Sequence, residues 1–253
     1  MSTWQLLELS YPADKICPGR MWEDIITLPH RDLSRYDVFR GHFLSYLERY
    51  LGRKLRTFTI LRDPLERTIS HYYHVRRAPE HPFHAAANAL TLEQFCLHRR
   101  TRHMVDNYQS RYLACRGTLN PRALAARMTA ADLAVYQLQL TLDPDVNEFT
   151  SLDELYRAAV RRLDSFVAVG ITERLQESFS VIAHALNIPN PPVLPIRNAG
   201  WNRPDLPCDA RTRRTIQRLT QVDRAIYGSV RGALEAAECV ATMGYTMAGN
   251  RNR

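Results

Sequence analysis

Lysine is almost missing from this chain. Of its 34 lysine and arginine residues only Lys15 and Lys54 are lysines, so the formal net charge of +8 rests on arginine. A guanidinium grips sulfate, phosphate or carboxylate through two parallel hydrogen bonds, which an ammonium cannot do. The bias therefore suits anionic ligands, and it equally suits a GC-rich genome. A basic chain also admits nucleic acid, but zinc-finger spacing, an aromatic RNA-binding signature and a basic zipper are all lacking, so no nucleic-acid partner is expected. Long apolar runs are lacking too: no stretch reaches the roughly 20 residues of a membrane-spanning helix, and the first residues do not follow the basic-then-apolar plan of a signal peptide. The five cysteines (Cys17, Cys96, Cys115, Cys208, Cys239) are scattered, odd in number and without Cys-x-x-Cys pairs. They suggest neither a disulfide framework nor a zinc site, and a reducing cytoplasm is the expected location. Glycine is sparse, and the first in the chain is Gly19.

What is there is enough for one sizeable core. At 253 residues with 45% hydrophobic content, a single α/β domain spanning 1–253 is the economical reading. The most informative stretch is Thr57–Arg77, TFTILRDPLERTISHYYHVRR. Thr57, Phe58, Thr59, Ile60 and Leu61 have the composition of a buried parallel strand. Arg62-Asp63-Pro64 stops it, with Pro64 suited to the first turn of a helix that carries Leu65, Ile69 and Tyr72 or Tyr73 inward. A strand feeding a helix through a tight turn is a ready phosphate site, because the helix N-terminus offers free N–H groups and partial positive charge. Arg62 at the strand end and Ser70 about two turns on could meet one phosphate. The alternative is that Arg62 pairs with Asp63 or Glu66 and Ser70 is a plain helix-face hydroxyl.

LRDPLERTISHYYH resembles the 3′-phosphate-binding segment of sulfotransferases that use 3′-phosphoadenosine 5′-phosphosulfate (PAPS), specifically the heparan sulfate 2-O-sulfotransferase-like branch and its bacterial relatives. The resemblance implies a P-loop-like three-layer α/β fold with a small parallel sheet wrapped by helices. It makes Arg62 and Ser70 ligands of the 3′-phosphate, PAPS the donor, and a hydroxyl of an acidic carbohydrate-type acceptor the sulfonate's destination, with no metal. Tyr36, Val38 and Phe39 suggest a strand ending at Gly41-His42, and the family carries a Gly-His dipeptide at this place. His42 matches its catalytic base; an imidazole titrating near neutrality can take a proton from an attacking hydroxyl.

Between Val75 and Arg116 the chain is basic and rich in histidine, including His81, His84, His98 and His103. The histidine spacings form no recognisable ligand set, so metal binding is not expected. This region reads as a solvated basic face, or as a groove for the acidic acceptor with Arg76 and Arg77 beside it. Asn107–Leu113 resembles a segment of the bacterial relatives in which Asn, Gln and Arg face the cleft, which brings in Arg111. Asn120–Leu142, Leu152–Leu163 and Arg211–Val230 read as helices. Phe166–Ile171 reads as a second buried strand, followed by a helix from Thr172 bearing Leu175, Phe179, Ile182 and Leu186. The Pro- and Asn-rich Asn187–Pro207 corresponds to a loop that closes over nucleotide in the family, with Asn198 and Arg203 as candidates. Asp223–Tyr227 resembles the family's closing Asp-x-x-Leu-Tyr signature, and Gly244–Arg253 reads as a frayed tail.

One feature of the family is lacking. Its first strand leads into a Lys-Thr-Gly-like loop that wraps the 5′-phosphosulfate; here a short helix at Trp4–Leu9, capped by Ser2-Thr3 and broken by Tyr11-Pro12-Ala13-Asp14, comes first, and Lys15 lies beyond it. The resemblance runs from about Trp4 to Tyr227. Two expectations follow: that codons upstream of Met1 encode the strand and loop, or that the chain is a catalytically impaired relative that binds nucleotide or acidic glycan without turnover.

Overall fold

The computed structural model describes residues 3–43, 46–115, 129, 149–188 and 208–249. The expected helix at Asn120–Leu142 lies outside them, as do Asn198, Arg203 and the rest of 189–207. The described chain is mostly helical around a two-stranded parallel sheet, compatible with an α/β class.

Four short helices open the chain: α1 (Thr3–Ser10), α2 (Trp22–Thr27), α3 (His30–Leu33) and α4 (Tyr46–Leu51). Tyr36 and Val38 are buried, but the strand expected there does not form; Val38 makes one isolated parallel bridge, with Ile16. Its backbone stops pairing because Gly41 and His42 turn away to meet Arg20, whose carbonyl accepts the His42 N–H at 2.9 Å. A Cβ on Gly41 would stand 2.0 Å from that carbonyl oxygen, so only glycine fits this turn.

β1 (Phe58–Leu61) and α5 (Pro64–Arg77) form where the sequence places them. Asp63 is the N-cap, its carboxylate accepting from the Leu65 and Glu66 N–H groups at 3.0 Å each, and Pro64 occupies the first helical position, where its missing N–H costs nothing. α6 (His84–Ala89), α7 (Leu92–Leu97) and α8 (Tyr108–Ala114) follow, then α9 (Leu152–Asp164). Leu152, which begins α9 just after its cap Ser151, is 44% exposed. β2 (Ala168–Ile171) pairs with β1 in register Phe58↔Ala168 to Leu61↔Ile171. The segment after it starts as a 3-10 turn at Thr172–Arg174 and becomes α10 (Leu175–Ala185). Gly170 lets α10 approach the sheet: a Cβ there would lie 2.5 Å from that of Ser178.

The region read as one helix at Arg211–Val230 is two, α11 (Ala210–Leu219) and α12 (Gln221–Gly249), parted at Thr220. α12 runs through Gly244 to Gly249, so the tail is helical further than expected. Leu155, Ala158 and Ala159 of α9 pack with Leu113 of α8 and Ile226 of α12 under Leu61 and Ile171 of the sheet. Tyr72 and Val75 of α5 pack with Phe95 of α7 and Ile216 of α11. Among the described residues no helix is long and apolar enough to cross a membrane, and Cys17, Cys96, Cys115 and Cys208 are free thiols.

Candidate functional site

The sheet delivers Arg62 to the C-terminal end of β1, where a cavity of about 750 Å³ opens. Both backbone groups of Arg62 are held by one side chain: its N–H donates to Gln109 Oε1 at 3.0 Å and its carbonyl accepts from Gln109 Nε2 at 2.9 Å. The Asp63 N–H donates to Glu173 Oε1 at 3.0 Å, and Glu173 Oε2 accepts from the Tyr227 hydroxyl at 3.0 Å. Burial, with that carboxylate beside it, pushes the Tyr227 phenol well above its ordinary pKa. The Asp63 carboxylate is engaged in capping α5, as described.

Arg67 shares the cavity with Arg62. Its guanidinium lies 3.7 Å over the Tyr108 ring and donates to the Met104 carbonyl. Burial pushes its pKa down, Tyr108 and Asp223 oppose that, and the neighbouring Arg62 charge adds to it. Two guanidiniums that repel one another at the end of a recess make a place for an anion. The sequence reading missed Arg67, although it stands within the same Arg62–Ser70 motif.

His42 lines the same cavity. Its ring meets Tyr112 edge-on at 6.1 Å, and Tyr112 stacks on Tyr108 at 6.1 Å, so a row of rings on α8 runs from His42 to Arg67. Although the side chain stays open to solvent, desolvation by its surroundings lowers the pKa of His42 below the usual histidine value. The imidazole is thus neutral at pH 7 and able to accept a proton.

α8 owes its position to a reciprocal cap. Asp223 accepts from the Gln109 N–H at 3.1 Å, the Ser110 N–H at 2.7 Å and the Ser110 hydroxyl, while Asn107, left-handed at φ 45°, accepts from the Val222 N–H at 2.8 Å. The N-terminus of each helix is satisfied by a side chain from the other.

The remaining candidates are dispersed. Ser70 is half-buried on α5 and is not part of the cavity wall. Arg111 is 8% exposed, with Nε donating to the Asp106 carbonyl at 3.1 Å and a guanidinium nitrogen 3.8 Å from the Asp106 carboxylate. Arg76 donates to Asn88 Oδ1 and to the Tyr72 hydroxyl, both at 3.3 Å, and the exposed Arg77 donates to the Tyr73 carbonyl at 3.2 Å. None of these three lines the cavity.

One histidine of the basic region, His81, joins two that precede it on α5. His71, His74 and His81 cluster with ring centroids 6.1 to 6.3 Å apart, and His71 stacks on Tyr108. Among the described residues no group of three such side chains could hold a metal ion. The buried His71 Nε2 has no hydrogen-bond partner among them either, and burial, with Arg67 adding to it, pushes its pKa down to about 2. An unfolded His71 titrates near 6.5, so below that pH the unfolded chain takes up a proton the folded one refuses. Stability is expected to be full above pH 6.5 and to fall toward acid by up to about 1.4 kcal/mol per pH unit from this group. Urea midpoints measured from pH 7.5 to 5 should show that slope, and His71→Phe, which keeps a ring on Tyr108, should flatten it.

No family model, curated protein or solved structure matches this chain. The cavity and its side chains carry the functional argument.

Proposed function

We propose that the protein is a PAPS-dependent sulfotransferase of P-loop-like α/β type, moving a sulfonate to a hydroxyl of an acidic carbohydrate-type acceptor. One observation carries the reading: His42 and Arg62, singled out in separate motifs 20 residues apart, line one cavity together with Arg67. Its volume of about 750 Å³ is in the range of nucleotide and drug-sized sites. The paired guanidiniums fit a phosphate or sulfonate, which supports the donor assignment.

When bound, PAPS supplies an activated sulfonate on a phosphate leaving group. Arg62 and Arg67 would hold the 3′-phosphate and so anchor the donor for in-line transfer. His42, exposed and lining the same cavity, would accept the proton of the acceptor hydroxyl as it attacks sulfur. The row from Tyr108 to Tyr112 fixes the base relative to the arginines, and such alignment of reacting groups is a large part of transfer catalysis.

A second reading, binding without turnover, is favoured by Lys15. Its ammonium sits 3.7 Å from Asp37 and 3.4 Å from the Arg35 carbonyl, outside the cavity wall, so it does not act as the family's catalytic lysine.

The first reading requires a nucleotide site, and the second allows either a nucleotide or an acidic glycan in the cavity. Adenosine 3′,5′-bisphosphate at about a hundred times its Kd is expected to add about 2.7 kcal/mol of stability, a rise in Tm of about 5–10 °C. Arg62→Ala should abolish the shift. No shift in the parent protein would overturn the nucleotide assignment, whereas a shift without sulfonate transfer would select the binding-only reading.

A further inference from the structure

Among the described residues β1 has a strand partner on one side only. The Val167 N–H donates to the Thr57 carbonyl at 2.8 Å, and Thr172 Oγ1 donates to the Leu61 carbonyl at 3.1 Å. On β2 the Ile171 N–H turns the other way, donating to Ser178 Oγ at 2.8 Å. Successive residues of a strand present their backbone groups to opposite edges, so Thr57, Thr59 and Leu61 face β2 while Phe58, Ile60 and Arg62 face away. At Arg62 the outward N–H and C=O are both bonded to the Gln109 carboxamide. Phe58 and Ile60, both half-buried, line the cavity, and no hydrogen bond to their backbone groups occurs on that edge among the described residues. Half-buried strand groups left in this state invite pairing with another extended chain.

We propose that the cavity-facing edge of β1 accepts an extended acidic peptide as an added strand, through the N–H and C=O of Phe58 and Ile60. Gln109 imitates the peptide group of such a strand at Arg62 and ends the ladder there, which leaves the anion site free. The added strand faces about four residues of β1, roughly 13 Å at 3.3 Å per residue. Its chemistry follows from the walls. Leu7, Val38, Leu55 and Leu186 line the cavity, and Leu7, Val38 and Leu186 pack with Phe58, so the wall beside that end of β1 is apolar and suits apolar side chains of an added strand. Arg53, Lys54 and Arg56, in the segment leading into β1, line it too and are exposed. Arg53 and Arg56 donate to the Tyr36 and Ala185 carbonyls, and among the described residues neither meets a carboxylate. Arg40 and Arg162, by contrast, pair with Glu8 and Glu48. An alternating acidic and apolar sequence complements this surface.

The probe is fluorescein-labelled Glu-Val-Glu-Val-Glu-Val, amidated at its C-terminus, titrated against the full chain at low salt. In the free protein the Phe58 and Ile60 amides should exchange with solvent faster than those of Thr59 and Leu61, and the peptide should slow them selectively. A version N-methylated at alternate backbone nitrogens, and a Lys-Val version, should each bind about tenfold or more weakly. Lys54→Glu, at an exposed position, should weaken binding without lowering Tm. Protected Phe58 and Ile60 amides in the free protein, no binding of the parent peptide up to about 1 mM, or equal binding of the N-methylated peptide would each overturn the proposal. The outcome is independent of nucleotide binding, since Arg62→Ala leaves the Phe58 and Ile60 edge in place.

Discussion

Replacing Asp223 by alanine is expected to lower folding stability by about 3–5 kcal/mol, read as a shift in urea midpoint at unchanged m-value. Asp223 is 2% exposed and receives two backbone N–H groups and a hydroxyl from the first turn of α8. Burial raises its pKa, while those donors and the Arg67 charge act the other way. Alanine would strand all three donors in a place water does not reach, and each stranded group costs about 1–3 kcal/mol. Asp223→Asn keeps one acceptor oxygen but turns an NH2 toward a donor, so it should fall between alanine and the parent. The damage should reach the cavity as well, because α8 carries Tyr108, Gln109 and Tyr112, and Gln109 holds the backbone of Arg62. A midpoint unchanged by Asp223→Ala would show that the reciprocal cap with Asn107 does not hold α8 and α12 together.

The same pair explains how far the sequence could be read. β1 and α5 were legible because their signals are local: a run of β-branched and apolar residues, then Asp63-Pro64, a cap and a first-turn proline in the order a helix start requires. β2 and its following helix were legible for similar reasons. The Asp223 cap was not, because its partners lie more than a hundred residues away in the chain, and pattern gives no distance between helices. Arginine was the hardest residue to place. Arg62, Arg67, Arg76, Arg77 and Arg111 look alike in sequence, but one guanidinium stacks on Tyr108 at the cavity and another is buried against Asp106, a choice made by tertiary packing. The Tyr36–His42 stretch has a strand's alternation, and Tyr36 and Val38 are indeed buried, yet a strand needs a neighbour along its whole length and, among the described residues, only Ile16 supplies one. The edge of β1 that has no strand partner among the described residues was invisible for a related reason: a sequence states which residues favour a strand and leaves unsaid which side of it is paired.

His42→Ala should separate chemistry from binding. The variant is expected to lose sulfonate transfer by about 10²–10⁴-fold, the usual contribution of a positioned general base, while keeping the Tm shift with adenosine 3′,5′-bisphosphate. The argument begins with the turn that Gly41 permits, which hangs His42 from the Arg20 carbonyl and sets its ring against Tyr112. The His42 ring itself does not contact the guanidinium of Arg67, which stacks on Tyr108 two rings away, so removing the imidazole should leave the nucleotide-holding groups in place. A base works in its neutral form, and desolvation lowers the His42 pKa; transfer should therefore persist to lower pH than an ordinary histidine with pKa near 6.5 would allow, then fall as the ring protonates. Gly41→Ala offers an independent route to the same loss, since its Cβ would meet the Arg20 carbonyl oxygen at 2.0 Å and displace the turn while leaving the imidazole in the chain. Full transfer activity in His42→Ala would remove the base assignment, and loss of the nucleotide shift together with activity would assign His42 a structural part in the cavity wall instead.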